Sequence, residues 1–513
     1  MAGLLGLIAW AGASRLTTDA PAISISRSEA ERAARQALAD GGIELDTSWT
    51  VMGRVEGQPA EQDRFVWQKA GSDRYKQLLG TYLTPPRWFI RFARFQGDVA
   101  ERAEEYQVFV DGGGKAFRIS HSLPEARPGK SLSADEARAI AVEALYERLG
   151  GRRPPLQSDL KEISAEASKR PARADWTFVF SDTRDYGLPE GEPRISIAVA
   201  GDEVVDARRY VYVPEEWSRN ERRERNLPAI AGAACTIALV AIALAGAVLA
   251  VIRWSRRQSF SARHFLVFFG VVFLIAVTNT LNNLPAVASQ FSTAQPLGLQ
   301  IGIVAAAALV SAAFVASALG LIGGLVTGAR EFGSSLEARQ SLWIGASLGA
   351  AMAGAASLAR QALPSLSPAW GNFGAASTWA PAAGAALSPL NSFFIQTLLL
   401  SLVLYVLARK GRGWPLLIIA GMLFAGLSIE NLTSWLILGA TMGTVLAAAH
   451  ALVLKYQPGV IIPAMATLAV LSTIRDGIQR AYPLALAGAI AGALLVVIAV
   501  RIWPALGDGK RPA

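Results

Sequence analysis

The sequence predicts a polytopic all-α membrane bundle of about nine spans, preceded by an α+β extracytoplasmic domain with an internal duplication. Three observations predict it. From Leu227 to Trp503 one apolar run follows another, about nine of them near the length that crosses a ~30 Å hydrocarbon core. Of the 513 residues 52% are hydrophobic and 17% charged, against about 25% charged in soluble domains. Before Leu227, a helix-start signature followed by strand-like runs occurs twice.

Residues 1–20 hold a short apolar stretch, Ala2 to Ala13, with no basic residue ahead of it. That is a poor secretory signal and short for a span, so it reads as an N-terminal anchor. Residues 21–217 form the repeat. Ser26-Arg27-Ser28-Glu29 and Ser133-Ala134-Asp135-Glu136 both fit the S-x-x-E capping box, which satisfies two orphan N–H groups at a helix start. Each opens a helix with one apolar face. The first carries Ala30, Ala33, Ala34, Ala37 and Leu38, the second Ala137, Ile140, Ala141, Ala144 and Leu145, at matching positions. Gly41-Gly42 and Gly150-Gly151 stop them.

Strands are expected after the first helix at Arg64–Gln68, Arg87–Phe95, Tyr106–Val110 and Ala116–Ser120, the last two joined by Asp111-Gly112-Gly113-Gly114. After the second they are expected at Trp176–Ser181, Ile195–Val199 and Val204–Val213, with a turn at Gly201-Asp202. The glycine run before Lys115 is not a phosphate loop, because Ala116 stands where a Ser or Thr would hold Mg²⁺. His121 has no second His or Cys at ligand spacing and is expected to face solvent at a strand end.

This half resembles the PepSY family, whose modules open with an S-x-x-E-A helix and continue into strands. The resemblance rests on Ser26–Leu38 and Ser133–Leu145 with the strands that follow. It implies a tandem, non-catalytic extracytoplasmic module that regulates a protease or membrane protein.

A charged collar occupies residues 218–226, and the membrane domain residues 227–503, with a tail at 504–513. Spans are expected near 227–252, 264–281, 299–328, 341–362, 387–408, 415–428, 432–454, 458–474 and 483–503. The sixth is short, and the uncharged loop 363–386 reads as re-entrant or interfacial. Basic residues alternate between loops. Arg253, Arg256, Arg257 and Arg263, then Arg330 and Arg339, Arg409, Lys410 and Arg412, Lys455, and Arg501, Lys510 and Arg511 fall on one side. By the positive-inside rule that side is cytoplasmic, which leaves residues 21–217 outside the cell membrane. The same distribution explains the net charge of +9 without a nucleic-acid partner.

Ionisable groups at membrane depth are costly, so each is a candidate site. The candidates form a polar cluster of Asn391, Glu430, Asn431, Arg475 and Asp476, with Gln396 as company. His450 lies about 28 Å along a helix from Glu430 and cannot share an ion with it. The three histidines, His121, His264 and His450, are not brought together by this topology; H-E-x-x-H does not occur, and the one G-x-S-x-G string, Gly345-Ala346-Ser347-Leu348-Gly349, falls inside an expected span and is no strand-to-helix elbow. Single Cys235 excludes a cysteine metal cluster and internal disulfides. No catalytic residue, metal or cofactor is expected.

The membrane half resembles the CPBP group of CAAX-protease and bacteriocin-processing intramembrane proteins. The resemblance lies in span order, the Asn282-Asn283-Leu284-Pro285 turn, the run from Leu387 to Asp476, and the Pro214-Glu215-Glu216-Trp217 start of the collar found in long bacterial members. Active members carry E-E-x-x-x-R, F-x-x-x-H and H-x-x-x-N/D. The corresponding segments here are Pro389-Leu390-Asn391-Ser392-Phe393-Phe394, Phe424-Ala425-Gly426-Leu427-Ser428, and Leu468 to Ser472. None carries the acidic, histidine or arginine side chains. The resemblance therefore implies a degenerate, pseudoenzyme-like scaffold that regulates a membrane or envelope protein partner among membrane lipid. A transporter or permease is the second expectation, an active metalloprotease with relocated ligands the third. Gly/Ala-rich stretches at Ala305–Leu325 and Ala346–Leu358 favour close helix packing.

Overall fold

The structure is a computed structural model that describes residues 1–148, 159–329, 332, 336–410 and 413–505. Gly150-Gly151, Arg330, Arg412 and most of the tail lie outside the described residues.

The chain opens with helix α1 (Ala2–Ala13). Next come α2 (Arg27–Asp40), β1 (Thr50–Glu56), α3 (Glu61–Leu78), β2 (Arg87–Ala93), α4 (Val99–Arg102), β3 (Glu105–Val110) and β4 (Ala116–Ser122). A second set follows: α5 (Ala134–Arg148), β5 (Leu160–Lys169), β6 (Ala174–Asp182), β7 (Glu192–Ala200) and β8 (Glu203–Tyr212). Each set makes its own four-stranded antiparallel meander, in order β1-β2-β3-β4 and β5-β6-β7-β8.

Both capping boxes form. Ser26 and Glu29 exchange side-chain and backbone bonds, as do Ser133 and Glu136. The α2 face of Ala30, Ala34 and Leu38 is buried against Trp88, Ile90, Phe92 and Val108 of the first sheet. Ala137, Ala141 and Leu145 of α5 pack on Phe178, Ile197 and Val199 of the second.

Three expectations need correction. Arg64–Gln68 is not a strand but the second turn of α3. Glu61 and Asp63 stand in the first turn, where carboxylates favour a helix, and adjacent Phe65 and Val66 are both buried, which an alternating strand would not allow. Although α3 belongs to the first set by sequence, it packs in the core of the second. Strands β1 and β5 were not expected. Gly53 and Arg54 interrupt the pattern of the one, and β5 is a charged, mostly exposed edge strand, the composition that protects sheet edges from further pairing. His121 does not face solvent. It is 6% exposed, stacked 3.9 Å from Tyr106 and bonded to Glu104 at 3.1 Å and to Glu203 of the second set at 2.6 Å.

The helical part contains α6 (Glu215–Ser255), α7 (Ala262–Asn282), α8 (Leu284–Ala288), α9 (Leu297–Thr327), α10 (Ala338–Gln361), α11 (Pro381–Lys410), α12 (Pro415–Ala425), α13 (Leu432–Ala449), α14 (Ile461–Gln479) and α15 (Ala485–Ala505). Among the described residues eight helices are long and apolar enough to cross a membrane. The apolar helix Pro415–Ser428 is shorter, as its sequence foretells, and so is α1. The charged collar is not a separate linker: it forms the opening turns of α6, continuous with the first span.

Glycines set the helix spacing. A Cβ on Gly354 of α10 would lie 2.4 Å from the carbonyl oxygen of Gly6, so α1 and α10 touch backbone to backbone. Gly421 of α12 meets Gly443 of α13 in the same way. Helix α11 is the most buried of the eight, with 67% of its apolar window inside.

The α+β region sits directly on one end of the bundle. Loop 363–380 is its seat. Phe373 and Ala376, with Ala481 and Tyr482, complete the first core, and Trp370 donates to the Tyr75 hydroxyl at 2.8 Å. The Ser377 hydroxyl accepts the Val55 N–H, and Arg91 donates to the carbonyls of Ser289 and Phe291. Arg253–Arg263, Arg339, Arg409 and Lys455 lie at and between the other ends of these helices.

Candidate functional site

Beneath loop 363–380 the bundle encloses a cavity of about 770 Å³. It is built from seven of the apolar helices, α7 and α10–α15, with Trp10 of α1 at its side. Asn282 prepares the geometry. It ends α7, is 8% exposed, and grips Ala380 twice, donating to its carbonyl at 3.1 Å and accepting its N–H at 2.7 Å. That clamp fixes where α11 starts.

Helix α11 forms the long wall. Gly384 and Leu400 both line the cavity and stand about 24 Å apart along the helix axis, so the space runs deep into a ~30 Å hydrocarbon layer. Its two ends differ in chemistry. The mouth, under the α+β region, carries Arg360, Asn372, Arg475 and Asp476. The deep end is apolar, with Leu400, Leu438, Met442 and Leu446.

Of the five residues expected as a polar cluster, the structure brings two together. Arg475 donates to Asp476 Oδ1 at 2.9 and 3.1 Å, and both line the mouth. Asn372, which the expected cluster lacks, donates to Asp476 Oδ2 at 3.1 Å. Glu430 is exposed and outside the lining, although Arg360 stands within electrostatic range of it as well as of Arg475 and Asp476. Asn431 caps α13 by accepting the Ser434 N–H at 2.8 Å. Asn391 is half-buried on α11, off the cavity. Gln396 does line it. Arg360 and Asn372 escaped sequence reasoning because each sits in or beside a loop that folds over the mouth. Only the isolation of Arg360 beside an uncharged loop marks it.

Tyr482 closes the mouth from the loop between α14 and α15. Burial, with the nearby Asp476 charge, pushes its hydroxyl up to about 12, so it stays protonated and able to donate.

The three segments aligned with protease motifs lie on three helices far apart in sequence. All three line this one cavity: Pro389, Ser392 and Phe393 on α11, Phe424, Ala425 and Ser428 at α12, and Leu468, Ala469 and Ser472 on α14. The side chains there do not fit a zinc ion. The lining holds one carboxylate, Asp476, already engaged by Arg475 and Asn372, and no histidine or cysteine. Among the described residues no three His, Cys, Asp or Glu side chains gather as a metal requires. Ser472 stands one turn before Asp476 on α14, but that carboxylate is engaged by Arg475 and Asn372. The cavity can hold a ligand with an apolar body below and a polar, cationic end above.

Comparison with family profiles, curated proteins and solved structures finds no match to this chain.

Proposed function

We propose that the chain is a non-catalytic membrane scaffold on the plan of the CPBP intramembrane proteases, which binds and regulates a membrane or envelope protein partner. The supporting observation is the convergence of the three motif-aligned segments on one deep cavity whose lining holds one carboxylate and no histidine or cysteine. Such a lining is suited to holding a partner's apolar segment rather than cutting it. The α+β region is read as a duplicated pair of PepSY-like modules on the outer face of the cell membrane, since the loops on the far side carry most of the bundle's loop cations. Its seat on loop 363–380 puts it over the mouth, where it would govern access.

A permease is the second reading, favoured by the cavity's depth along α11. Photocrosslinking separates the two. A photoreactive residue at Ser472 or Leu438 should yield adducts with a discrete membrane protein in cells, lost when the probe is moved to lipid-facing Ile237. Adducts with lipid or small molecules alone would favour the permease and overturn the scaffold.

A further inference from the structure

The α+β region has a cleft of its own, about 880 Å³, where its two sheets meet. Strands β4 and β8 are each the last strand of a sheet, so each keeps one edge free of strand partners. They come together at the cleft, tied by Arg118, whose guanidinium donates to both Asp206 oxygens at 2.7 and 2.8 Å. The walls are strongly cationic: Arg87, Lys115, Arg118, Arg208 and Arg209 line the space, against a single carboxylate, Glu61. Arg87 and Arg118 are held by Glu56 and Asp206. Lys115 and Arg208 are exposed and, among the described residues, have no carboxylate partner; Arg208 lies over the Tyr210 ring at 5.4 Å. Between the cations stand aromatic faces. Phe117 is 38% exposed, and Tyr210 and Tyr212 are half-buried.

We propose that this cleft binds an acidic peptide segment in extended form. Uncompensated cations supply attraction for carboxylates, the β4 and β8 edges supply main-chain bonds apart from the Val211 N–H, which the Gln62 side chain already accepts, and the exposed Phe117 ring receives an intervening side chain. The volume falls in the range of ligand sites. A lipid headgroup is badly placed. Ser218 lines the cleft, and Leu227, where the apolar run of α6 begins, is about 14 Å further along the helix. The ligand therefore comes from the aqueous phase. The inference is independent of what the membrane cavity holds.

The test uses the full chain in detergent and a fluorescein-labelled peptide of alternating Glu and Tyr. Fluorescence polarisation should report saturable binding that weakens with salt, and the Gln-for-Glu peptide should not bind. The double reversal Lys115→Glu with Arg208→Glu should weaken binding about tenfold or more while the melting temperature is unchanged, both side chains being exposed. Lack of saturable binding, or affinity indifferent to the reversal, would overturn the proposal. Stronger displacement of the peptide by soluble short-chain phosphatidylglycerol than by unlabelled peptide would overturn it in favour of a headgroup site.

Discussion

Asp63 shows how one side chain can serve local structure at a global cost. Its Oδ2 accepts the Ala60 N–H at 2.7 Å and so helps to start α3, yet the residue is 1% exposed and Oδ1 has no partner. Burial pushes its carboxyl up to about 6, against a cap bond and the more distant Arg87 and Arg64, which pull it down. The unfolded value is near 3.8. Folding thus takes up a proton between those values, and the stability this group carries is fully present below about pH 4 and lost as pH rises through about 6. The separation corresponds to about 3 kcal/mol above pH 6. Asp63→Asn keeps an acceptor for Ala60 and removes the buried charge. Thermal unfolding of the α+β region should rise by about 5 °C or more at pH near 7.5 and hardly change near pH 4. An equal loss at both values would mean that the carboxylate is needed as a charge.

Among the elements, α11 is the axis of the bundle and carries an unusual stripe. Thr397, Ser401 and Tyr405 recur every fourth residue, are at most 1% exposed, and their hydroxyls have no hydrogen-bond partner among the described residues. Polar groups left unpaired in an apolar setting cost about 1–3 kcal/mol each. Ser401→Ala should therefore leave the detergent-solubilised protein at least as heat-stable as the parent, and more stable by about 1 kcal/mol if the site is dry. A clear loss of stability would show that the hydroxyl is paired in the membrane.

Elements also mark where sequence reading succeeds. The capping boxes at Ser26 and Ser133 were legible because their bonds join residues three apart, and the long apolar runs because composition alone fixes a span. Arg64–Gln68 was misread because α3 buries its apolar residues in the second core, a long-range contact invisible to local pattern. His121 was misread for the same reason, since its partner Glu203 is 82 residues away. At the site, Arg475 and Asp476 were legible as adjacent charges at a span's end. Arg360 and Asn372 join them only through the fold of loop 363–380.

At the scale of the whole molecule, the core of the first sheet reaches into the bundle's end through Phe373, Ala481, Tyr482 and Ala485, so the two parts share an orientation. On the proposed orientation, alkaline phosphatase fused after Ser120 should be active and after Phe260, in a basic loop, inactive. The opposite pattern would turn the cavity mouth toward the cytoplasm and remove the regulatory arrangement.

The central claim is that this cavity holds a partner without a bound catalytic metal. Elemental analysis of the detergent-purified chain tests it most directly, beside Asp476→Asn, which removes the one lining carboxylate. The account predicts zinc well below one atom per chain in both proteins. One zinc per chain, lost on the substitution, would contradict it and make the protein a metalloenzyme.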